Sequence, residues 1–301
     1  MHTVYTTAAG ETTTSLAPSI RAAVTVDADK AARYSTRHGV LASICRGEGR
    51  TVMQHITAIG FDLFETLVTV ENLRREEAVG RLMQSLKSSG LAIADETFFS
   101  IYRATARRFM AAAQHDGKET HNRFWISTAL QELGHEVQPD DPRIALAVET
   151  YFSAFIDYAA PIPGTVEMLA TLKGKYRLGL LSNLTHAPAA LRIIDKLGMT
   201  AFFDAIVVSG QLGYRKPHPK VFLALLDQLG TPKEQTAFVG DNLEADIHGA
   251  HQMGIQPIWM TYVQSQKALE ALGLADPQPP ATPSVPTITN WQDLLTLFAM
   301  V

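Results

Sequence analysis

The chain has 301 residues, of which 46% are hydrophobic and 19% are charged, and its formal net charge is −4 at pH 7. This length allows one large or two medium domains with a substantial buried core. The mild negative charge gives no electrostatic reason to expect binding to nucleic acid or to an anionic membrane surface. The single cysteine, Cys45, excludes an intrachain disulfide and a cysteine-based zinc cage. No run approaches the roughly 20 apolar residues that span a bilayer, and we predict a cytoplasmic protein.

Residues 1–52 differ from the rest of the chain in composition. They are rich in Thr, Ser, Ala and Arg and show weak apolar periodicity. They contain no compact apolar segment like that of a secretory signal, and acids such as Glu11 and Asp27 argue against an organelle transit peptide. We therefore predict a flexible N-terminal extension over residues 1–55. A related hypothesis is that the natural start is Met53, just before the first predicted strand.

The first half of the remaining chain combines one strand with a block of helices. Residues 56–63 (ITAIGFDL) read as a buried strand. Residues 73–158 have apolar side chains spaced three and four apart and contain no good strand run, which predicts amphipathic helices. Asp95, Asn122 and Asp141 supply plausible helix starts. The helical block therefore interrupts the chain directly after its first strand.

From residue 161 onward, predicted helices and strands alternate, and this rhythm favours a parallel sheet covered by helices on both faces. Residues 276–286 are proline-rich, and "VPTITNWQDLLTLF" predicts a last short strand and a closing helix. We predict an α/β fold, a Rossmann-like doubly wound parallel sheet over 56–72 and 160–301, with an inserted α-helical cap over 73–159. An insertion at the carboxyl end of a strand is well placed to act as a lid over a ligand.

Polar side chains follow four of the predicted strands, at the point where each strand ends. Because the carboxyl ends of parallel strands meet at one edge of a sheet, we expect these side chains to converge. The candidates are Asp62 and Thr66 after the first strand, Ser182 and Asn183 after "RLGLL", Lys216 after "AIVVSG", and Gly240, Asp241, Asn242 and Asp246 after "TAFV".

The chemistry of these residue types is coherent. A carboxylate such as Asp62 can act as a covalent nucleophile towards phosphorus or an activated carbon. The hydroxyl of Ser182 and the amide of Asn183 suit an oxyanion or a phosphoryl oxygen, and Lys216 neutralises anionic groups. Asp241, together with Asp62, offers the oxygen ligands that Mg²⁺ prefers. Asp246 lies further along, either as a third acid near the cation or as a helix-surface acid.

Taken in order, these motifs closely resemble the haloacid dehalogenase (HAD) superfamily of hydrolases. The first motif is D-x-x-x-T, here Asp62 to Thr66, and the second is the serine of "LLSN", Ser182. The third is the lysine of "RKPHP", Lys216, and the fourth is the G-D-x-x-x-x-D run at 240–246. The resemblance covers residues 56 to about 300. The helical block resembles the cap of the subgroup that contains haloacid dehalogenases, phosphonatase and many small-molecule phosphatases.

The resemblance also shows a departure from the family pattern. Family phosphatases carry D-x-D-x-T, in which the second acid protonates the leaving oxygen and later activates water. Here that position is Phe64, which cannot exchange protons. The resemblance implies that Mg²⁺ is held by Asp62, Asp241 and the backbone carbonyl of Phe64, with Gly240, Asn242 and Asp246 in support. Neighbouring Glu65 is expected to point elsewhere, because successive residues of an extended segment face opposite ways.

Three functions follow from these motifs and stay open. The first is a Mg²⁺-dependent phosphohydrolase that acts on a small phosphorylated metabolite through an aspartyl-phosphate on Asp62. The second is a metal-free 2-haloacid dehalogenase, because such enzymes carry an aromatic residue at the position of Phe64. However, their fourth motif lacks the Gly240–Asp241 pair, and Ile93 stands near where they use an arginine. The third is a weakly active or non-catalytic phosphate-binding protein.

Side chains around the motifs carry further expectations. A phosphonatase-type reaction would need a cap lysine, and both cap lysines, Lys87 and Lys118, are predicted to be solvated. An acid or histidine of a predicted cap loop could replace the missing acid. Those loop candidates are His115, Asp116 and His121. We predict that Arg215 and Lys220 are solvated and that His186 and His218 lie beside the site or on the surface. The cap core is predicted to contain Phe98, Phe99, Tyr102 and Trp125.

Overall fold

A computed structural model describes residues 53–70, 73, 75–265 and 285–300 of the chain. Residues 1–52, with Cys45, lie outside the described residues, as does most of the proline-rich segment at 276–286. The predictions made for these segments therefore stay predictions.

Within the described residues, six parallel strands form a central sheet, in the order β5-β4-β1-β6-β7-β8. Two further strands, β2 and β3, form a short antiparallel pair. The strands are β1 (Ala58–Phe61), β2 (Val68–Thr69), β3 (Ala160–Pro161), β4 (Arg177–Ser182), β5 (Ala205–Val208), β6 (Thr236–Gly240), β7 (Gln256–Met260) and β8 (Thr287–Ile288).

The helices confirm the predicted alternation. After β6, Leu243–His248 is a π-helix that continues into a short α-helix. The α-helices are α1 (Arg75–Ser88), α2 (Asp95–Asp116), α3 (Asn122–Glu132), α4 (Pro142–Tyr158), α5 (Thr165–Leu172), α6 (Ala187–Lys196), α7 (Ser209–Leu212), α8 (Pro219–Leu229), α9 (Gly249–Gln252) and α10 (Trp291–Leu297).

Strand β1 occupies the middle of the sheet and is buried along its whole length. It pairs in parallel with β4 on one side and with β6 on the other, so that Phe61 lies opposite Leu180 and Val239. The carboxyl ends of these three strands therefore lie together at one edge, where open α/β sheets bind ligands. The doubly wound parallel fold predicted from the sequence is confirmed.

Helices α1 to α4 follow one another between β2 and β3, in the segment predicted to be the cap. The β2–β3 pair carries the chain out to these helices and back. It is tied to the core by the Ile162 N–H and the Thr165 hydroxyl, which both donate to the carbonyl of Leu67, at 2.9 and 3.1 Å. None of the described helices is long and apolar enough to cross a membrane.

Candidate active site

Asp62 is the first residue after β1, and its surroundings fix it in place. Its backbone N–H donates to the carbonyl of Val239 at 2.9 Å, which extends the pairing of β1 with β6 by one residue. The hydroxyl of Thr66, one turn later, donates to Asp62 Oδ2 at 3.4 Å. The Asp62 side chain is only 10% exposed, so this carboxylate is held with one edge towards a cavity.

Lys216 is the cation that contacts this carboxylate. Its Nζ lies 2.5 Å from Asp62 Oδ1 and 2.7 Å from Asp246 Oδ1, and it donates to the carbonyl of Leu181 at 2.9 Å. The backbone of Lys216 is gripped by Asn183, whose amide donates to the Lys216 carbonyl at 3.0 Å and accepts its N–H at 2.8 Å. Both ends of the Asn183 amide are therefore committed to positioning the lysine.

Three carboxylates converge at this edge of the sheet. Asp62, Asp241 and Asp246 each place an oxygen within 4.8 Å of the others. Asp246 is engaged on both oxygens, because Oδ1 pairs with Lys216 and Oδ2 accepts the Asn242 N–H at 2.9 Å. Against three carboxylates the cluster holds one ammonium, so a divalent cation would neutralise the excess charge. Carboxylate oxygens are the ligands that Mg²⁺ prefers, and the residues fit this ion.

Burial and mutual repulsion shape the protonation of the cluster. Burial, followed by the charges of Asp62, Asp246 and Glu65, raises the pKa of Asp241 to about 8. Burial also raises the pKa of Asp62 to about 6, although Lys216 opposes this shift. Burial disfavours the charged form of Lys216, but Asp246 and Asp62 outweigh it and hold the lysine pKa above its ordinary value. An added cation would oppose both shifts, because it favours the charged form of each carboxylate.

Glycine at position 240 is required by the close approach of Asp246. A Cβ atom at Gly240 would lie 2.4 Å from the Cβ of Asp246, a distance that real side chains do not tolerate. The π-helix that follows therefore depends on this glycine to bring Asp246 under the end of β6. The carbonyl of Asp241 is held by the Trp259 indole N–H at 2.9 Å.

A cavity of about 490 Å³, the strand-end cavity, lies over this cluster. Ser182 lines it, and its hydroxyl is buried without a hydrogen-bond partner. A buried unpaired hydroxyl costs free energy, which points to a ligand that completes its hydrogen bond. The cavity is also lined by Phe64, Gln114, Asn183, Arg215 and Asn242.

The ring of Phe64 joins this cavity to the helical segment. It packs edge-on against Phe155 of α4, with ring centroids 6.4 Å apart. Phe155 in turn packs against Tyr151 at 5.5 Å. At the position where the family phosphatases carry an acid, this chain therefore has an apolar contact between the loop after β1 and α4.

The chain forms a turn shortly after Asp62, and this turn determines where Glu65 lies. The segment is not extended, because residues 65–67 form a turn and Glu65 has a φ of 59°. This left-handed conformation is uncommon for a residue other than glycine. Glu65 lines a separate groove of about 590 Å³ between the helical segment and the core, outside the lining of the strand-end cavity. Glu65 was predicted to point away from the site, and its position in this groove is consistent with that prediction. The reason given, an extended segment, is wrong because the segment is a turn.

The loop candidates for a substitute acid lie outside the lining of the strand-end cavity. His115 and Asp116 are the last residues of α2 rather than loop residues. His121 is the N-cap of α3 and contacts His186 instead. The side chain of Lys118 is exposed. Lys87 is likewise exposed and pairs with Asp95, as expected for solvated lysines.

Arg215 was predicted to be solvated, and this prediction is wrong. Its side chain is 21% exposed, lines the strand-end cavity and lies 3.6 Å from the buried carboxylate of Glu119. The loop that contains Glu119 docks on the core, because the Glu119 N–H donates to the carbonyl of Gly213 and the Arg215 N–H to that of Gly117, both at 3.0 Å. The position of Arg215 next to Lys216 in the sequence could have indicated that it lies near the site. Its partial burial, however, depends on the docking of a loop that is distant in sequence.

A hydrogen-bonded chain also links the helical segment to the core. The Arg123 N–H donates to His121 Nδ1 at 3.2 Å, so His121 carries its proton on Nε2 and donates to His186 Nδ1 at 3.2 Å. His186 Nε2 then donates to Glu149 at 2.8 Å, and Arg192 pairs with the same carboxylate at 3.2 Å. Both imidazoles are neutral in this arrangement.

We expect this chain to make the folded protein less stable in acid. Burial, with the charges of His186 and Arg123, lowers the pKa of His121 from 6.5 to about 4, although Glu149 opposes this. The unfolded state therefore binds more protons between these two pH values, and stability present above about pH 6.5 is lost as pH falls through the folded pKa. Thermal melts at pH 7.5 and 4.5 measure the loss.

The matched variant is His121→Asn, because asparagine can still cap α3 but does not titrate. Its melting temperature should fall less between the two pH values than that of the unaltered protein. An equal fall in both proteins would show that His121 is not the source of the acid sensitivity.

Comparisons with known proteins identify the family of this chain. Residues 56–254, more than half of the chain, match the sequence profile of haloacid dehalogenase-like hydrolases. A glyceraldehyde 3-phosphate phosphatase from Pyrococcus abyssi is 28% identical over 209 residues, which cover 69% of this chain and 82% of that protein. A ribulose-1,5-bisphosphate 5-phosphatase from Halopiger xanaduensis is 27% identical over 242 residues, which cover 79% of this chain and 99% of that protein.

Solved structures share the fold. A 2-haloacid dehalogenase from Pseudomonas syringae pv. Tomato DC3000 superposes with a TM-score of 0.58 at 21% identity, covering 81% of this chain and 98% of that one. At this identity the likeness concerns the fold alone. With the profile match and the converging strand-end residues, however, the family predicted from the four motifs is confirmed: the chain belongs to the haloacid dehalogenase-like hydrolases.

Proposed function

We propose that this hydrolase is a Mg²⁺-dependent phosphohydrolase that acts on a small phosphorylated metabolite through an aspartyl-phosphate on Asp62. The observation that carries the proposal is the cluster of Asp62, Asp241 and Asp246 around Lys216 in one cavity. Sequence relatives named as sugar-phosphate and triose-phosphate phosphatases support this reaction class.

The residues suggest two chemical steps. A carboxylate oxygen of Asp62 attacks the phosphorus, and the bond from phosphorus to the leaving oxygen breaks with its electron pair on that oxygen. Water then attacks the same phosphorus, so that inorganic phosphate leaves and the Asp62 carboxylate is restored. During both steps the unpaired hydroxyl of Ser182 donates to a phosphoryl oxygen, and Lys216 supplies positive charge beside the nucleophile.

The supporting residues fall into two groups. Asp62 and Asp241, with the backbone carbonyl of Phe64, would hold Mg²⁺, which supplies charge neutralisation between the carboxylates and the phosphoryl group when bound. Asp246 and Asn183 act through Lys216, because the first pairs with its ammonium and the second holds its backbone. This assignment moves Asn183 from the oxyanion-binding role first considered to a positioning role.

Phe64 is the observation that favours the second candidate, a haloacid dehalogenase, since a halide leaves without a proton. The charge balance of the cluster opposes it. Without a metal ion, the Lys216 ammonium would have to balance all three carboxylates, and the half-buried Asp241 would stay beside Asp62 and Asp246 without a cation of its own. A metal-dependent reaction gives these acids a function, and a metal-free one does not.

A single screen separates the candidates. The purified protein is assayed against phosphate esters, acyl phosphates and short 2-haloacids, each with Mg²⁺ and with a chelator. We expect phosphate release that requires Mg²⁺ and is fastest with leaving groups that need no proton. Halide release that survives the chelator would replace the proposal with dehalogenation. Binding of Mg²⁺ and phosphate by a well-folded protein that releases neither product would replace it with a non-catalytic function.

A further inference from the structure

Between α2, α3, α4 and the core lies a second cavity, the cap pocket, with a volume of about 210 Å³. Four aromatic residues, Trp125, Tyr151, Phe152 and Phe155, form part of its wall, and polar and charged residues complete the lining. An apolar cavity of about 150 Å³ already accommodates benzene. The cap pocket is therefore large enough for one six-membered ring with small substituents.

Buried polar atoms without partners line this aromatic pocket. Asn122 is 1% exposed, and neither the oxygen nor the nitrogen of its side-chain amide makes a hydrogen bond of normal geometry. The indole N–H of Trp125 is also buried and unpaired. The hydroxyl of Tyr102 is buried close to Asn122 and Tyr151, but Tyr102 lies outside the lining of the cap pocket. Buried polar groups are nearly always paired in native proteins, and each exception calls for a physical reason.

The helix start explains how Asn122 became available. The sequence predicted Asn122 as a helix start, and an N-cap asparagine would spend its side chain on the helix. The structure places His121 at the N-cap, where its ring accepts the Arg123 N–H at 3.2 Å. Asn122 is therefore the first helical residue, and its amide is left to line the cap pocket.

The cap pocket adjoins the strand-end cavity. Asn183 and Arg215 line both cavities, and the Phe64 ring in the wall of one packs on the Phe155 ring in the wall of the other. A phosphoryl group at Asp62 would therefore have its leaving group directed towards the cap pocket. The pocket offers that leaving group aromatic walls, the unpaired amide of Asn122 and the indole N–H of Trp125, beside the charged side chains of Arg215 and Glu119.

We propose that the cap pocket binds a planar ring with a hydrogen-bonding substituent, so that the substrate is an aryl or heteroaryl phosphate whose ring contacts Asn122 and Trp125. The Asn122 amide pairs with an acceptor and a donor on the ring substituent, and the Trp125 indole donates to an acceptor. This inference rests on the proposed function, since it assigns a substrate class to the same site.

The chemistry at Phe64 is consistent with such a leaving group. A phenol has a pKa of about 10, whereas the pKa of an alcohol is close to that of water, about 15.7. A phenol therefore leaves as an anion far more readily than an alcohol does. An aryl oxygen therefore depends less on the proton that the family acid supplies. The apolar wall made by Phe64 and Phe155 also favours a ring over a hydrated sugar.

Three probes test the inference: acetyl phosphate, which has a good leaving group and no ring, phenyl phosphate, and 4-carbamoylphenyl phosphate. We expect 4-carbamoylphenyl phosphate to be hydrolysed with a higher kcat/KM than phenyl phosphate. Asn122→Leu should raise the KM for 4-carbamoylphenyl phosphate about tenfold or more, because the ring amide loses its partner. The same variant should leave the kcat/KM for acetyl phosphate within about twofold.

Thermal stability separates binding from a structural role. Leucine has nearly the shape of asparagine and removes two unpaired polar atoms, so the melting temperature of Asn122→Leu should stay equal or rise. Trp125→Phe, which keeps the aromatic wall and removes the N–H, is the second variant and should give the same selective rise in KM.

The possible results separate failure of the proposed function from failure of the proposed substrate class. Failure to hydrolyse all three probes would overturn the proposed function. Hydrolysis of acetyl phosphate together with equal kcat/KM for the two aryl phosphates would overturn the substrate class alone. So would a loss in Asn122→Leu that is equal for all three probes or accompanied by a lower melting temperature, because a structural role produces such a loss.

Discussion

Replacing Asp62 with asparagine is expected to lower kcat on the order of 10⁶-fold, the loss that removal of a covalent nucleophile brings in other hydrolases. The amide cannot attack phosphorus, and it also withdraws one ligand from the carboxylate cluster. Folding should survive, because the variant removes one of three converging negative charges and keeps the shape of the side chain. Initial rates with acetyl phosphate and Mg²⁺ measure the effect.

The matched control is Asp195→Asn, the same chemical change at an exposed position of α6. Its kcat should stay within about twofold of the unaltered protein, as for most surface substitutions. Rapid acid quenching followed by mass spectrometry should detect a phosphoryl group on the peptide that contains Asp62, and not in Asp62→Asn. A phosphorylated peptide elsewhere, or undiminished turnover by Asp62→Asn, would remove Asp62 from the role of nucleophile.

The edge of the sheet could be predicted from the sequence for a physical reason. Parallel strands must end at a common edge, so polar residues that follow buried strands meet there whatever the loops between them do. This rule brought Asp62, Ser182, Lys216 and Asp241 into one cavity from positions far apart in the chain. The strand itself, with Ile59 and Phe61 fully buried, leaves little freedom for Asp62 to face elsewhere.

Features that depend on a single backbone angle or on a distant contact were not predictable in this way. The turn at Glu65 requires a φ of 59°, which propensity disfavours for glutamate. The cap of α3 moved by one residue to His121, and this shift alone frees the amide of Asn122. Arg215 is half-buried by a loop whose docking involves Glu119, a contact that no local pattern encodes.

The same limit applies to the aromatic residues of the helical segment. Phe98 is fully buried, in agreement with the predicted cap core. Phe99, Tyr102 and Trp125 line cavities as well, and the indole N–H of Trp125 has no hydrogen-bond partner. Helical periodicity identifies a side that is covered, but it does not distinguish a side covered by protein from one that awaits a ligand.

Restoring the family acid with Phe64→Asp is expected to raise kcat/KM for phosphate esters of simple alcohols about 10²-fold or more, the usual contribution of general acid–base catalysis. The site can receive the charge, because Phe64 is half-buried and lines the strand-end cavity. Acetyl phosphate should change by less than about tenfold, since its leaving carboxylate gains little from a proton. Glycerol phosphate and acetyl phosphate, assayed side by side with Mg²⁺, measure this difference.

Phe64→Leu is the control, because it also removes the contact with the Phe155 ring but supplies no proton. An aromatic pair contributes about 0.5–1.5 kcal/mol, so Phe64→Leu should lose about this much stability, and Phe64→Asp should lose more because it adds a carboxylate beside three others. If Phe64→Leu raised alkyl phosphate hydrolysis as much as Phe64→Asp, the gain would come from opening the wall between the two cavities. If neither variant raised it, the slow step for alkyl phosphates would lie elsewhere than in proton transfer, and Phe64 would act only as a wall. A gain confined to Phe64→Asp and to poor leaving groups would show that proton transfer is the one catalytic role that Phe64 removes from this site.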